Sequence, residues 1–290
     1  MREYCVGVNL PPSVRLENLD GYLRTIEENG FNACELNLST YPFMMGGNLI
    51  PCVAEYVREI FAGHPLTYTA HGAYGLDLRN PDKWELRKKV LFASIDLCSS
   101  LGCTLLNIHN EEDSKKSSVE RLFRTVVKDA AEYAKERGVS LVLENIEIEN
   151  VYRTIDMVES IDHDNLGMNL DLGHLFLSSQ YYGYDYLKAV TDSLPRLRHL
   201  HIHDNMGEFE AMRLTDFNMY KTLDKKERMV FSSGDMHTAP FWGKAPLQEA
   251  IKAIKHSGYQ GVWLCEYYSD LFAPFNTQIC QSVRNCIEQA

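Results

Sequence analysis

The sequence predicts an α/β fold, a single (β/α)8 TIM barrel with a long insertion between its seventh and eighth strands. Three observations predict it. Eight short apolar runs alternate with longer amphipathic stretches along 290 residues, the pattern of a parallel sheet with helical crossovers. Eight such units in a chain of this length suit a closed barrel better than an open sheet. No GxGxxG follows the first run, so the usual sign of a dinucleotide-binding sheet is missing.

The runs lie at 4–10 (YCVGVNL), 32–38 (NACELNL), 66–71 (LTYTAH), 104–109 (TLLNIH), 140–145 (SLVLEN), 165–171 (NLGMNLD), 197–204 (LRHLHIHD) and 261–268 (GVWLCEYY). Short apolar runs bounded by turn-forming residues read as strands. Between them, 84–102 and 118–138 carry helical patterns. In the second, Val119, Leu122, Phe123, Val126, Val127 and Ala130 recur at three- and four-residue spacing, and Gly138 supplies a stop. One connection is long. It runs from Asp204 to about Pro246, so residues 205–245 are expected to form a lid or an extra helix. No linker divides the chain, and residues 1–290 read as one domain.

Hydrophobic residues make up 45% and charged residues 24%, which is ordinary globular composition and excludes a disordered or collagenous chain. The net charge of −11 argues against a broad basic surface for nucleic acid or anionic membrane. The N-terminal MREYCVGVNLPP lacks a signal-peptide pattern, and no apolar run approaches the length of a spanning helix. The eight cysteines are scattered with no CxxC pair. Free thiols in a reducing cytoplasm, with no membrane partner, are therefore expected.

Polar residues gather at the carboxyl ends of the runs: His71, His109, Glu144, Asp171 with His174 just beyond, His199 to Asp204, and Glu266. In a barrel these ends form the catalytic rim, where side chains from different strands converge. Carboxylates and imidazoles crowded together need cations between them. The ligand types suit Zn²⁺, Mn²⁺ or a similar ion, and the absence of Cys argues against a closed structural zinc. His199, His201 and His203 alternate, so they share a face of their strand. His201 is favoured as the ligand. Asp235 and His237, in the GDMH tract of the connection, are candidates for a second cation.

These residues resemble the xylose isomerase-like TIM barrel superfamily, which includes sugar isomerases and epimerases as well as endonuclease IV-type apurinic/apyrimidinic endonucleases. The resemblance covers nearly the whole chain and is carried by HGAYGLDLRNPD (71–82), NIH (107–109), LEN (143–145), NLDLGH (169–174), HIHDN (201–205), GDMH (234–237) and Glu266. For a sugar enzyme the resemblance implies one divalent ion held by Glu144, Asp171, His201 and Glu266. For an endonuclease it implies three zinc ions, with His71, His109, His174, Asp235 and His237 added. The chain departs from the endonuclease fingerprints at Asn110-Glu111, Gly173 and His203, and from the ketose 3-epimerase pattern at Asn150 and Gly207.

The favoured expectation is a metal-dependent isomerase, epimerase or related lyase acting on a sugar or sugar derivative through an enediolate. Its cofactor would be Mn or Zn, one to three ions per chain. Glu144 and Glu266 would serve as the acid/base pair, and Tyr74, Phe241 and Trp242 would wall the substrate. One alternative is a trinuclear-zinc phosphodiesterase. It should carry basic residues on its rim loops, yet segments 74–80, 110–113 and 205–212 contain only Arg79. The other alternative is a non-catalytic metal-binding barrel subunit. The expected partner is a small sugar rather than nucleic acid, and a homo-oligomer is expected by resemblance.

Overall fold

The structure is a computed structural model and describes residues 4–290. Eight parallel strands close into a barrel: β1 (Val6–Asn9), β2 (Ala33–Asn37), β3 (Thr67–His71), β4 (Leu105–His109), β5 (Ser140–Glu144), β6 (Leu166–Asp171), β7 (Leu197–Ile202) and β8 (Trp263–Cys265). Each pairs with its sequence neighbours, and β1 closes the ring against β8. All eight apolar runs thus become strands. The eighth is the shortest, and Glu266 lies one residue past its end.

Helices α1 (Leu19–Glu28), α2 (Pro51–Ala62), α3 (Trp84–Leu101), α4 (Ser117–Glu136), α5 (Tyr152–Ile161), α6 (Leu172–Tyr182), α7 (Tyr186–Ser193), α8 (Leu247–His256) and α9 (Asn276–Gln289) run between and after the strands. In α4 the buried stripe is Phe123, Val126, Val127, Ala130, Ala131 and Ala134. Leu122, expected in that stripe, is exposed instead, because it points one step off the buried face. Gly138 does end the segment, at φ +69°, a conformation that favours glycine.

Strand register sets the rim. Asn37 pairs with His71, His109 with Glu144, and Asp171 with His201. An irregularity at Met168/Asn169 lets β7 advance an extra residue against β6, which re-aims the histidine run of β7. The connection after β7 carries three short helices, Met212–Thr215, Phe217–Tyr220 and Lys225–Phe231. Its base is pinned by an antiparallel bridge between Asp204 and Thr238. Among the described residues, no helix is long and apolar enough to cross a membrane. Cys34, Cys98, Cys103 and Cys265 are buried in the core.

Candidate metal centre

The barrel puts carboxylates and imidazoles from six strands and the connection into one buried array. At its centre, His201 Nδ1 lies 2.9 Å from Glu266 Oε2, 3.3 Å from Glu144 Oε1 and 3.7 Å from Asp171 Oδ2. Four ligands at about 2.0–2.1 Å around a tetrahedral ion stand roughly 3.3 Å apart. The spacing therefore fits one cation. The chemistry agrees: these four atoms are buried, and none has a hydrogen-bond partner among the described residues. Unpartnered buried oxygens and nitrogens are costly, and a bound cation would satisfy all four together.

Two further groups adjoin it. His71 Nε2 is 3.1 Å from His109 Nε2 and 3.4 Å from Glu144 Oε2. On the other side, Asp235 Oδ2 is 2.9 Å from His237 Nε2 and 3.4 Å from His174 Nε2. His203 joins this second group, its ring stacked 3.9 Å from that of His237. All nine residues marked as ligands by the sequence thus converge.

Second partners orient the rings. His71 Nδ1 faces the Gly72 carbonyl at 3.0 Å, His174 Nδ1 the Asn145 carbonyl at 3.1 Å, and His237 Nδ1 the Glu266 carbonyl at 3.1 Å. A carbonyl only accepts, so each Nδ1 carries the proton and each Nε2 is left free to ligate. His201 is turned the other way, with Nε2 against Glu35 Oε1 at 2.9 Å, so Nδ1 faces the array. Glu35 also meets His199 Nε2 at 3.0 Å and accepts from Thr69 Oγ1 at 2.9 Å. His199 therefore braces Glu35 below the array.

Local sequence explains the other positions. Asp171 caps α6, its Oδ1 accepting from the His174 amide at 2.6 Å, so the DxxH spacing is an N-cap and its third helical residue. Asn145 and Asp171 hold each other reciprocally, the Asn145 amide on the Asp171 carbonyl and its oxygen on the Asp171 N–H. Asn107 donates to Glu144 Oε2. Gly173 leaves room for the His203 ring, which an added Cβ would meet at 2.1 Å. Gly173 and His203, two departures noted above, are thus one linked feature.

Electrostatics keep Glu144 and Glu266 charged. Burial opposes ionisation of Glu144, but His201, His174 and His71 hold its carboxyl well below the usual range. Burial likewise opposes ionisation of Glu266, and His201 with His237 still bring it down to about 2. The reverse holds for the rings of His71 and His237. Burial disfavours their charge, yet Glu144 raises His71 to about 9 and Asp235 raises His237 to about 9.

Above the array lies a cavity of about 330 Å³. Tyr74 lines it, beside Arg213, Phe217, Tyr220, Lys225 and Arg228 of the connection. Phe241 and Trp242, expected on the same wall, lie elsewhere. Phe241 lines a separate surface cavity with Gln248 and Cys286, and Trp242 packs edge-on against Phe272 and Phe275. They follow the Asp204–Thr238 bridge, where the chain has already turned back to the barrel wall. Arg79, the one basic residue of the rim segments, is also not available. It is 5% exposed and bonded to Glu120, Asp113 and Asn110. The sequence reading missed Glu35, although a carboxylate amid the apolar NACELNL was a usable signal. It also missed the connection's cations, which no strand periodicity marks.

The candidate site is thus an array of carboxylates and imidazoles at the carboxyl rim of a closed parallel barrel. The chain belongs to the xylose isomerase-like TIM barrel family, whose model matches residues 23–287. It is similar to a probable endonuclease 4 of Thermosipho africanus, 26% identical over 165 residues, covering 50% of this chain and 57% of the relative. The chain spans about half the length of the curated relatives it matches. In fold it resembles a D-tagatose 3-epimerase-like protein, with TM-score 0.72, 17% identity and 98% of each chain covered. It also resembles a xylose isomerase-like barrel from Mycobacterium smegmatis in complex with magnesium, with TM-score 0.69, 17% identity, and 99% and 100% covered.

Proposed function

We propose that the protein is a divalent-metal-dependent isomerase or epimerase of a small sugar or sugar derivative. The observation that carries this reading is the set Glu144, Asp171, His201 and Glu266 beneath a cavity of about 330 Å³ that the connection helps to enclose. That volume is at the small-molecule end of the range for binding pockets. The epimerase-like fold of a structural neighbour and the net charge of −11 support a small substrate over a nucleic acid.

When bound, a divalent cation supplies Lewis acidity that polarises a carbonyl and acidifies the neighbouring C–H. The chain's own groups do the rest. Glu144 and Glu266 both line the cavity, and both are held ionised by their histidines. Glu266 is the more accessible, its side chain 18% exposed against 1% for Glu144. It is therefore the group to take the carbon-bound proton, while Glu144 fixes His71 and His201. Asn9 and Asn37 also line the cavity and offer amides to hydroxyls, and the Tyr74, Tyr220 and Tyr268 rings limit water.

The test is proton exchange. Metal-loaded protein incubated in D2O with a panel of aldoses and ketoses should incorporate deuterium next to the carbonyl, read by NMR. Glu266→Gln should slow this by about 10²-fold or more. Undiminished exchange in that variant sinks the assignment.

One observation favours a second reading. The groups His71–His109–Glu144 and His174–His203–Asp235–His237 flank the central four, giving room for three cations, as a zinc phosphodiesterase would need. Elemental analysis separates the two. About one ion per chain supports the sugar enzyme, while about three, with cleavage of an oligonucleotide carrying an abasic site, supports the hydrolase.

A further inference from the structure

The connection brings three cations to the cavity, Arg213, Lys225 and Arg228, and they are not equivalent. Arg213 is already neutralised, its Nε 2.6 Å from Glu147 Oε1 with both side chains largely buried. Arg228 is held only by neutral groups. Its Nη1 donates to Tyr220 Oη at 2.7 Å and to the Asp235 carbonyl at 3.0 Å. Its Nε is buried without any hydrogen-bond partner among the described residues. Lys225 is an exposed residue of the cavity lining, with its ammonium 4.1 Å over the Tyr268 ring. Neither Lys225 nor Arg228 forms an ion pair with a carboxylate among the described residues.

A partly buried guanidinium without a carboxylate partner is a cost that the Tyr220 face offsets only in part, and the exposed Lys225 adds a second positive charge to the same cavity lining. The contrast with Arg213 is informative, because Glu147 shows that this surface pairs an arginine where pairing is structural. A guanidinium with an unused Nε–H next to an ammonium matches the oxygens of a phosphate monoester or a carboxylate. The carboxylates of the array disfavour an anion at the floor, which leaves the roof for it.

We propose that Arg228 and Lys225 form an anion subsite, so that the substrate carries a phosphate or carboxylate at the end remote from its reacting carbon. This rests on the sugar reading above for the identity of the rest of the molecule, but the anion subsite itself does not.

The experiment uses the metal-loaded full chain and calorimetry with four probes that lack a reactive carbonyl: inorganic phosphate, glucitol, gluconate and glucitol 6-phosphate. Wild-type protein should bind an anionic polyol about tenfold or more tightly than glucitol, the gain expected of charge-assisted hydrogen bonds. In the double variant Arg228→Gln/Lys225→Gln the preference should fall to about twofold or less, with an unchanged circular dichroism spectrum as the check on folding. A lead for glucitol 6-phosphate identifies phosphate, and a lead for gluconate identifies carboxylate; either supports the subsite. Equal binding of glucitol and both anions, or a preference that survives the double substitution, overturns it. If only inorganic phosphate binds, and the variant loses it, the subsite stands and the sugar reading fails.

Discussion

Glu35 shows how much of this site depends on one residue that ligates nothing in the central set. It joins His201, His199 and Thr69 below the array, and so decides which nitrogen of His201 faces the other three ligands. Outer partners of this kind set ring orientation and ligand basicity. Glu35→Gln should therefore weaken metal affinity by about 10- to 100-fold, measured by competition with a chromophoric chelator. Affinity equal to wild type would show that His201 keeps its orientation unaided. Gly173 makes the same point sterically, since His203 occupies the space where any side chain would project.

At the scale of elements, the rim loops are tied to each other as well as to the strands. Glu149, in the loop after β5, accepts from the Asp113 N–H of the loop after β4 at 2.6 Å. Its other oxygen is buried and unpartnered, and burial raises its pKa to about 7. A carboxyl raised in this way contributes stability at acid pH and loses it as pH climbs from its ordinary value through about 7. Glu149→Gln should thus raise the unfolding midpoint near about pH 8 by roughly 2 °C, after discounting for solvent screening, and change little near about pH 5. Thermal unfolding at the two pH values decides it; an equal shift at both rules out titration as the cause. The strands and their order were legible in the sequence, because eight apolar runs at regular intervals leave few topologies. Most of the candidate ligands were legible for the same reason, standing where those runs end, and Asp235 and His237 were marked by the GDMH tract instead. The rest of the connection was not. Its three short helices have no long periodic stripe, so neither the cavity-facing Arg228 and Lys225 nor the outward turn of Phe241 and Trp242 could be read from spacing.

For the whole molecule, the array is a concentration of buried ionisable groups whose hydrogen-bonding needs the fold satisfies only in part. Glu35, Glu144, Asp171, Asp235 and Glu266 meet His71, His174, His199, His201, His203 and His237 inside one barrel end. Several buried atoms there lack hydrogen bonds. A cation that binds only the folded chain stabilises it by mass action, about 2.7 kcal/mol at a hundredfold excess over its dissociation constant. Chelation should therefore lower the unfolding midpoint by about 5 °C, and one of Mn²⁺, Zn²⁺ or Mg²⁺ should restore it. A midpoint indifferent to chelator and to all three ions would leave the array without its cation.

The bridge between Asp204 and Thr238 has a consequence for how this barrel can change. The Asp204 carboxylate accepts from the Asn205 and Ala245 N–H groups, and the two backbones exchange hydrogen bonds of 3.0 and 3.1 Å. The thirty-odd residues between them leave and re-enter the barrel through one narrow neck. Lengthening such a loop adds little closure entropy, and rewriting its interior breaks no strand pairing. The neck works as a socket. The strands carry Glu144, Asp171 and His201, while the piece of chain beyond the neck adds Asp235 and His237 to the array and Lys225 and Arg228 to the cavity.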